Sequence, residues 1–438
     1  MRRGQRILLV GLVVAGLAVV VSGCGVSQAS ACAQVEYTGT GSPDLVLVSD
    51  LPLQGAASRE SRQINHAIRA QLQERGFRAG AHTIGFQACD DSTQAAGKSD
   101  AGRCASNANT YADDDSKVIG VIGPLDSRCA AILIPALNQA SGGGIPIVSP
   151  TNTYPCLTRG GAGCDLSEPD KYYPSGRRNY LRVVGNDVFQ AAAAAEFARD
   201  RGVKRVYVLH DNEAYGVGMA ASFRAAARWL GIEVVGFEGW DAGATSYTSL
   251  FEKAKARRAD AIFLGGLIEQ NGAGVIRDKV RVLGPNDGEV ELLASDGFAK
   301  QQTIDEAAAA ADGMVIAAAG VPAGRLPEAA KRFNAAFAAR YLEGKPPHPS
   351  AIYGAEAAKV MFDAIAKSDG TRSDVITRLF ETRVKDGLLG TFGFDENGDP
   401  ADATGPVVSF TIFKVARGLT VDTTIDPEAS TVRAAARG

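Results

Sequence analysis

Short apolar runs recur along this chain, each closed by glycine, proline or a small polar residue and each followed by a stretch with helical spacing. "VIGVIGP" (118–124) precedes "DSRCAAILIPALNQA", and "DAIFLGG" (260–266) precedes "GAGVIRDKVRVLG". Runs this short and this continuously apolar suit strands buried on both faces. Alternation with helices of ten or more residues predicts parallel sheets covered on both sides. The rhythm occurs twice. One set runs from "DLVLVSDLPL" (44–53) to "IPIVSP" (145–150), the other from "NYLRVVGND" (179–187) to "GMVIAAAGVP" (313–322). Two long helical segments follow, then a β-rich stretch, "LLGTFGFDENGDP…GPVVSFTIFKVARG". The last residues, "TTIDPEASTVRAAARG", show no clear pattern and read as a tail. At 438 residues the chain is long enough for two separate cores.

The first residues predict a processing signal. "MRRGQR" is basic, "ILLVGLVVAGLAVVV" (7–21) is apolar but shorter than a membrane span, and "VSGC" (21–24) places small residues before Cys24. This pattern resembles the bacterial lipoprotein box, which implies acylation of Cys24 after cleavage and a lipid anchor on the outer face of the cytoplasmic membrane. Residues 24–43, rich in Gly, Ser, Ala and Thr, are expected to be a flexible tether. Six cysteines remain beyond Cys24. In an exported protein an even remainder suggests disulfides. Cys156 and Cys164 flank a loop with three glycines and are the favoured pair. Cys89 with Cys104 is the next expectation, leaving Cys129 and Cys32 over, and Cys89 with Cys129 competes with it. No CxxC spacing is present, which disfavours zinc.

Four strand ends carry groups that could hold a ligand. Beyond Gly123-Pro124, Ser127 opens a helix, where free backbone N–H groups favour anions; Asp126 or Ser127 could equally be only a cap. After "IPIVSP", Thr151 and Thr153 offer hydroxyls, although a Thr-rich turn explains them as well. Tyr215 follows the strand "RVYVLHDN". Its neighbours "GVGMAA" lack the third glycine of a dinucleotide fingerprint, Ala221 standing there, so that cofactor is rejected and no other is expected. Asp296, in "LLASDGF", could pair with an ammonium or could simply shape a turn. The "DENGDP" stretch (395–400) imitates a calcium loop but has Pro400 where glycine is needed. Scattered histidines and the absence of HExxH, P-loop or G-x-S-x-G motifs give no sign of an enzyme, an exported hydrolase included. With formal charge −3 and no long basic run, nucleic acid is not an expected partner.

In order and spacing, "VIGPLDS", "GIPIVSPTNTYPCLT", "LRVVGNDVFQAAAAA", "VYVLHDNEAYGVG", "DAIFLGG", "ASDGF" and "GTFGFDENGD" resemble the type I periplasmic binding proteins, in the leucine/isoleucine/valine-receptor group of ABC importers. The resemblance covers roughly 44–415. It implies two α/β lobes joined by three crossovers, near 183–187, 317–322 and 388–394. One lobe would be 44–184 with 320–388 and the other 185–319 with 389–422, leaving 423–438 as the tail. Ser127 matches the family's carboxylate-holding serine, Thr151 and Thr153 the loop that binds carboxylate and ammonium, Tyr215 a tyrosine of the opposite lobe, and Asp296 the ammonium partner. Leu267 stands where branched-chain receptors have tyrosine, and Arg59, Glu60 and Ser61 also depart from the pattern. The implied protein is a monomer that captures an amino acid or analogue and passes it to a membrane permease. A sensor on the same fold is the alternative.

Overall fold

The computed structural model describes residues 31–94, 98–113 and 116–437, and residues 31–438 form one compact unit. Cys24 and the apolar segment before it lie outside the described residues. Among those described, no helix is long and apolar enough to cross a membrane.

Two sheets organise the molecule. The first has six strands, in the order Arg78–Ala79, His82–Asp90, Leu45–Leu51, Val118–Ile122, Ile147–Ser149 and Tyr180–Arg182. All pairs are parallel except the short first one. Val118–Ile122 is buried along its whole length, as a central strand covered on both faces must be. Helices Ser58–Glu74 and Ser350–Lys367 cover one face, while Ala101–Ala112 and Ser127–Asn138 cover the other, so each face has its own apolar core. The second sheet has seven strands, in the order Leu419–Ile425, Phe410–Val415, Val315–Ala319, Glu291–Ala294, Ala261–Gly265, Arg205–His210 and Glu233–Gly239. Its first two strands are antiparallel additions to a parallel sheet. It too is packed on both faces. This is the doubly wound, two-lobed α/β architecture that the alternating runs imply.

The chain leaves the first lobe after Arg182, returns to it after Ala319 and leaves it again after Thr404. The last transfer falls later than the expected 388–394. Strand Gly390–Phe394 pairs with Arg383–Gly387 and Pro400–Thr404 in a small sheet of its own, and Leu389, Phe392 and Phe394 are buried in the first lobe's core. Their apolar surface keeps this stretch with the first lobe, and the crossing is made by 405–409.

Two other expectations are corrected. The tail contains strand Leu419–Ile425 and helix Ala429–Arg437, which packs on helices Asp187–Asp200 and Ala214–Trp229. Residues 31–43 are not a free tether. Ala33 N–H donates to the Ala88 carbonyl at 2.8 Å, and Glu36 exchanges backbone bonds with Phe86 at 2.8 and 2.9 Å. The Glu36 carboxylate also receives Arg69 at 2.6–2.9 Å.

That docking decides the disulfides. Cys32 lies against Cys89 and is bonded to it, while Cys104 and Cys129 join the adjacent helices Ala101–Ala112 and Ser127–Asn138. Neither Cys89–Cys104 nor Cys89–Cys129 forms. Cys156–Cys164 forms as expected. Non-reducing peptide mapping should recover these three pairs. Replacing Cys104 and Cys129 together by serine should lower stability by about 2–4 kcal/mol in urea denaturation.

Candidate functional site

The carboxyl ends of both sheets' strands face each other, and Ser127, Thr151, Thr153, Tyr215 and Asp296 all lie just beyond such ends. On the first lobe, Asp126 caps helix Ser127–Asn138, its carboxylate accepting Cys129 N–H at 3.0 Å. The capping role therefore falls to Asp126, and Ser127 is left in the first turn, buried, accepting Tyr154 N–H at 3.3 Å. The Thr151 hydroxyl donates to the Leu125 carbonyl at 2.8 Å, and Asn152 Nδ2 donates to the Pro124 and Leu125 carbonyls at 3.0 and 2.9 Å. These bonds tie the loop after Ile147–Ser149 to the loop after Val118–Ile122. Thr153 is buried, and its carbonyl accepts Asp187 N–H at 2.8 Å at the start of the first crossover helix.

Behind the loop sits Arg182, fully buried at the end of its strand. Nη1 donates to the carbonyls of Asn152 and Tyr154 at 3.0 and 2.9 Å, and Nη2 donates to Thr158 Oγ1 at 2.7 Å. Its charge is balanced by Asp399, with Nε 2.8 Å from Oδ1. Asp399 also accepts Arg159 Nε at 3.0 Å and Asn186 Nδ2 at 3.3 Å. One buried pair thus holds the carbonyls on both sides of Thr153.

On the second lobe, Tyr215 is the second residue of helix Ala214–Trp229 and donates its hydroxyl to Asp296 Oδ1 at 2.5 Å. Burial pushes the Asp296 carboxyl upward, against the pull of that hydroxyl. The same burial, with Asp296 alongside, raises the Tyr215 phenol far above its ordinary range. Gly216 and Gly218 serve packing. A Cβ on Gly218 would lie 2.6 Å from the Tyr154 ring, and one on Gly216 would lie 2.0 Å from Asp211 Oδ1. Cys156–Cys164 braces the loop just beyond Tyr154, whose hydroxyl donates to Glu168 at 2.8 Å. At the rim, Arg128 and Lys98 of the first lobe lie 3.7 and 4.0 Å from Glu213 of the second.

The structure adds a residue that the motif search passed over. Asp187 is fully buried between Thr153 and the Tyr215–Asp296 pair, and neither of its carboxylate oxygens has a hydrogen-bond partner. Burial raises its pKa well above the usual carboxyl range; the Thr153 side chain works against the rise, the nearby Asp296 adds to it and Arg182 opposes it. An orphaned buried carboxylate is costly unless something pairs with it. Its place after Asn186, the helix cap, makes it look in sequence like an ordinary first-turn acid.

Residues 54–415 match the family described as periplasmic binding protein. This chain belongs to that family. An amino acid binding protein of Pseudomonas aeruginosa is 30% identical over 166 residues, 38% of this chain and 39% of that protein, so the match spans well under half of that relative. A Leu/Ile/Val-binding protein homolog of Brucella suis is 24% identical over 85% of this chain and 92% of its own length. The leucine binding protein LivK of Thermotoga maritima superposes with a TM-score of 0.72 at 25% identity, covering 87% of this chain and 99% of that one.

The Asp187 carboxyl gives a pH prediction with a definite sign. Below the ordinary carboxyl range, folded and unfolded chains both hold its proton. As pH rises, the unfolded chain releases the proton while the fold must keep it or bury a charge, so stability falls. In ligand-free protein, Asp187→Asn should raise the melting temperature at pH 8 relative to the parent and leave it nearly unchanged at pH 4. Replacing Arg182 by alanine should cost about 3–5 kcal/mol in denaturant titration, because Asp399 loses its buried partner and the carbonyls of Asn152 and Tyr154 lose their donor.

Proposed function

We propose that the chain is an exported solute-binding lipoprotein of an ABC importer, anchored through Cys24. It captures an amino acid or a similar zwitterion between its lobes and delivers it to a membrane permease. The observation that carries this reading is the opposition of two unlike half-sites. The start of helix Ser127–Asn138, with Ser127 and the loop of Thr151 and Thr153, is offered to a carboxylate, and across from it the carboxyl groups of Asp296 and Asp187, beside the Tyr215 hydroxyl, are offered to an ammonium. The match to periplasmic binding proteins, and relatives described as amino acid or Leu/Ile/Val-binding, support the same class of ligand.

Ligand first meets one lobe, and rotation about the three connections brings the other over it. Closure removes water from the paired charges and strengthens their bonds. Glu213, with Arg128 and Lys98 opposite it, adds a charge contact at the rim. Two outcomes are expected in a thermal-shift screen of amino acids and their amides. At least one zwitterion stabilises the purified protein, and Asp296→Ala weakens its binding by roughly ten- to a hundredfold, as loss of a charge-assisted bond of about 1.5–3 kcal/mol implies. A screen with no stabilising zwitterion, together with an Asp296→Ala variant indistinguishable from the parent, overturns this reading.

A further inference from the structure

The cleft's unfilled hydrogen-bonding capacity is one-sided. Both carboxylate oxygens of Asp187, Oε1 of Gln190 and Oε2 of Glu269 are buried without a partner, and all four are acceptors. Asp187 and Gln190 are fully buried one turn apart on the same helix. Glu269 has a side chain only 10% exposed, and its other oxygen is held 2.7 Å from Lys300 Nζ.

The charges lean the same way. From the first lobe, Glu60, 16% exposed and 3.8 Å from His348 Nδ1, acts across the cleft on both Asp296 and Lys300. His348 Nδ1 is itself 2.6 Å from the Ser350 hydroxyl. Lys300 therefore sits among three carboxylates, Glu269, Glu60 and Asp296, with Asp187 beside the last. Three acids act on this one lysine. A ligand with one ammonium and one carboxylate satisfies the Asp296 end but brings no donor for Glu269 or Glu60. An aliphatic side chain laid there would strip water from these carboxylates and return nothing, and each buried acceptor left unmade costs about 1–3 kcal/mol.

We infer that the ligand carries a second cationic, donor-rich nitrogen at its far end, directed to Glu269 and Glu60: a dibasic amino acid rather than a branched aliphatic one. This rests on the amino-acid reading above and narrows it. The first ammonium lies between Asp296 and Asp187, and the distal nitrogen fills the acceptors beside Lys300. The departures from the branched-chain pattern at Glu60 and Leu267 are consistent with this change of side-chain environment.

Pairs that differ only by the terminal ammonium test it on the unaltered protein. Ligand-stripped full-length chain is titrated calorimetrically with ornithine against norvaline and with lysine against norleucine, with leucine and isoleucine alongside. At least one dibasic member is expected to bind tenfold or more tighter than its uncharged partner, and Glu269→Gln is expected to shrink that ratio while the uncharged ligand's affinity stays within about twofold. If norvaline, norleucine, leucine or isoleucine binds as tightly as the dibasic ligands, the inference fails and the amino-acid reading stands. If a dibasic ligand binds preferentially but Glu269→Gln and Glu60→Gln both leave the ratio unchanged, the assignment of these acceptors fails. If no zwitterion binds at all, the failure belongs to the amino-acid reading itself.

Discussion

The cleft wall of the first lobe depends on one buried ion pair. A guanidinium with no exposure is tolerable only where its charge is matched and its donors are used, and Arg182 meets both conditions through Asp399, Thr158 and two backbone carbonyls. Those carbonyls belong to Asn152 and Tyr154, so the pair sets the path of the loop that carries Thr153. Asp399 comes from a turn more than two hundred residues away and also receives Asn186, the cap of the first crossover helix. Loop, crossover and the small three-stranded sheet are thus held by one charge centre. Such a centre has few alternative arrangements, because any displacement strands a charge in a low-dielectric interior.

The two lobes contribute different chemistry to the cleft. The first supplies hydroxyls, backbone groups and a helix start, all of them fixed by short bonds among the loops. The second supplies carboxylates whose full solvation has been given up, two of them within electrostatic reach of each other. Such a site holds its charge poorly when empty, which favours any cation that enters. The same burial that raises Asp296 and Asp187 therefore prepares the cleft for a ligand.

Much of the fold could be read from the letters, because strands buried on both faces leave continuous apolar runs and helices leave their own spacing. The central strands at 118–122 and 261–265 are of this kind. Helix Ala429–Arg437 was illegible since a nine-residue segment of Ala, Arg, Ser and Thr with a single Val gains its stability from packing rather than from pattern. The third crossing was displaced because Phe392 and Phe394 alternate like a strand of either lobe, and only the core they enter decides between them. Cys32 could not be paired because its partner depends on a backbone segment, 31–36, docking along strand His82–Asp90, an event with no local signature. In the site, Ser127, Thr151, Thr153, Tyr215 and Asp296 could be named from strand ends and resemblance, and all five lie around the same cleft. Asp187 and Arg182 could not. Each looks ordinary in its own segment, and the role of each comes from what the rest of the chain packs against it.

The bond between Cys32 and Cys89 has a mechanical consequence. Cys32 follows Cys24 by eight positions, and such a length reaches at most about 28 Å when drawn straight. A fatty-acyl group on Cys24 would therefore moor the protein by the edge of its first sheet on a short leash.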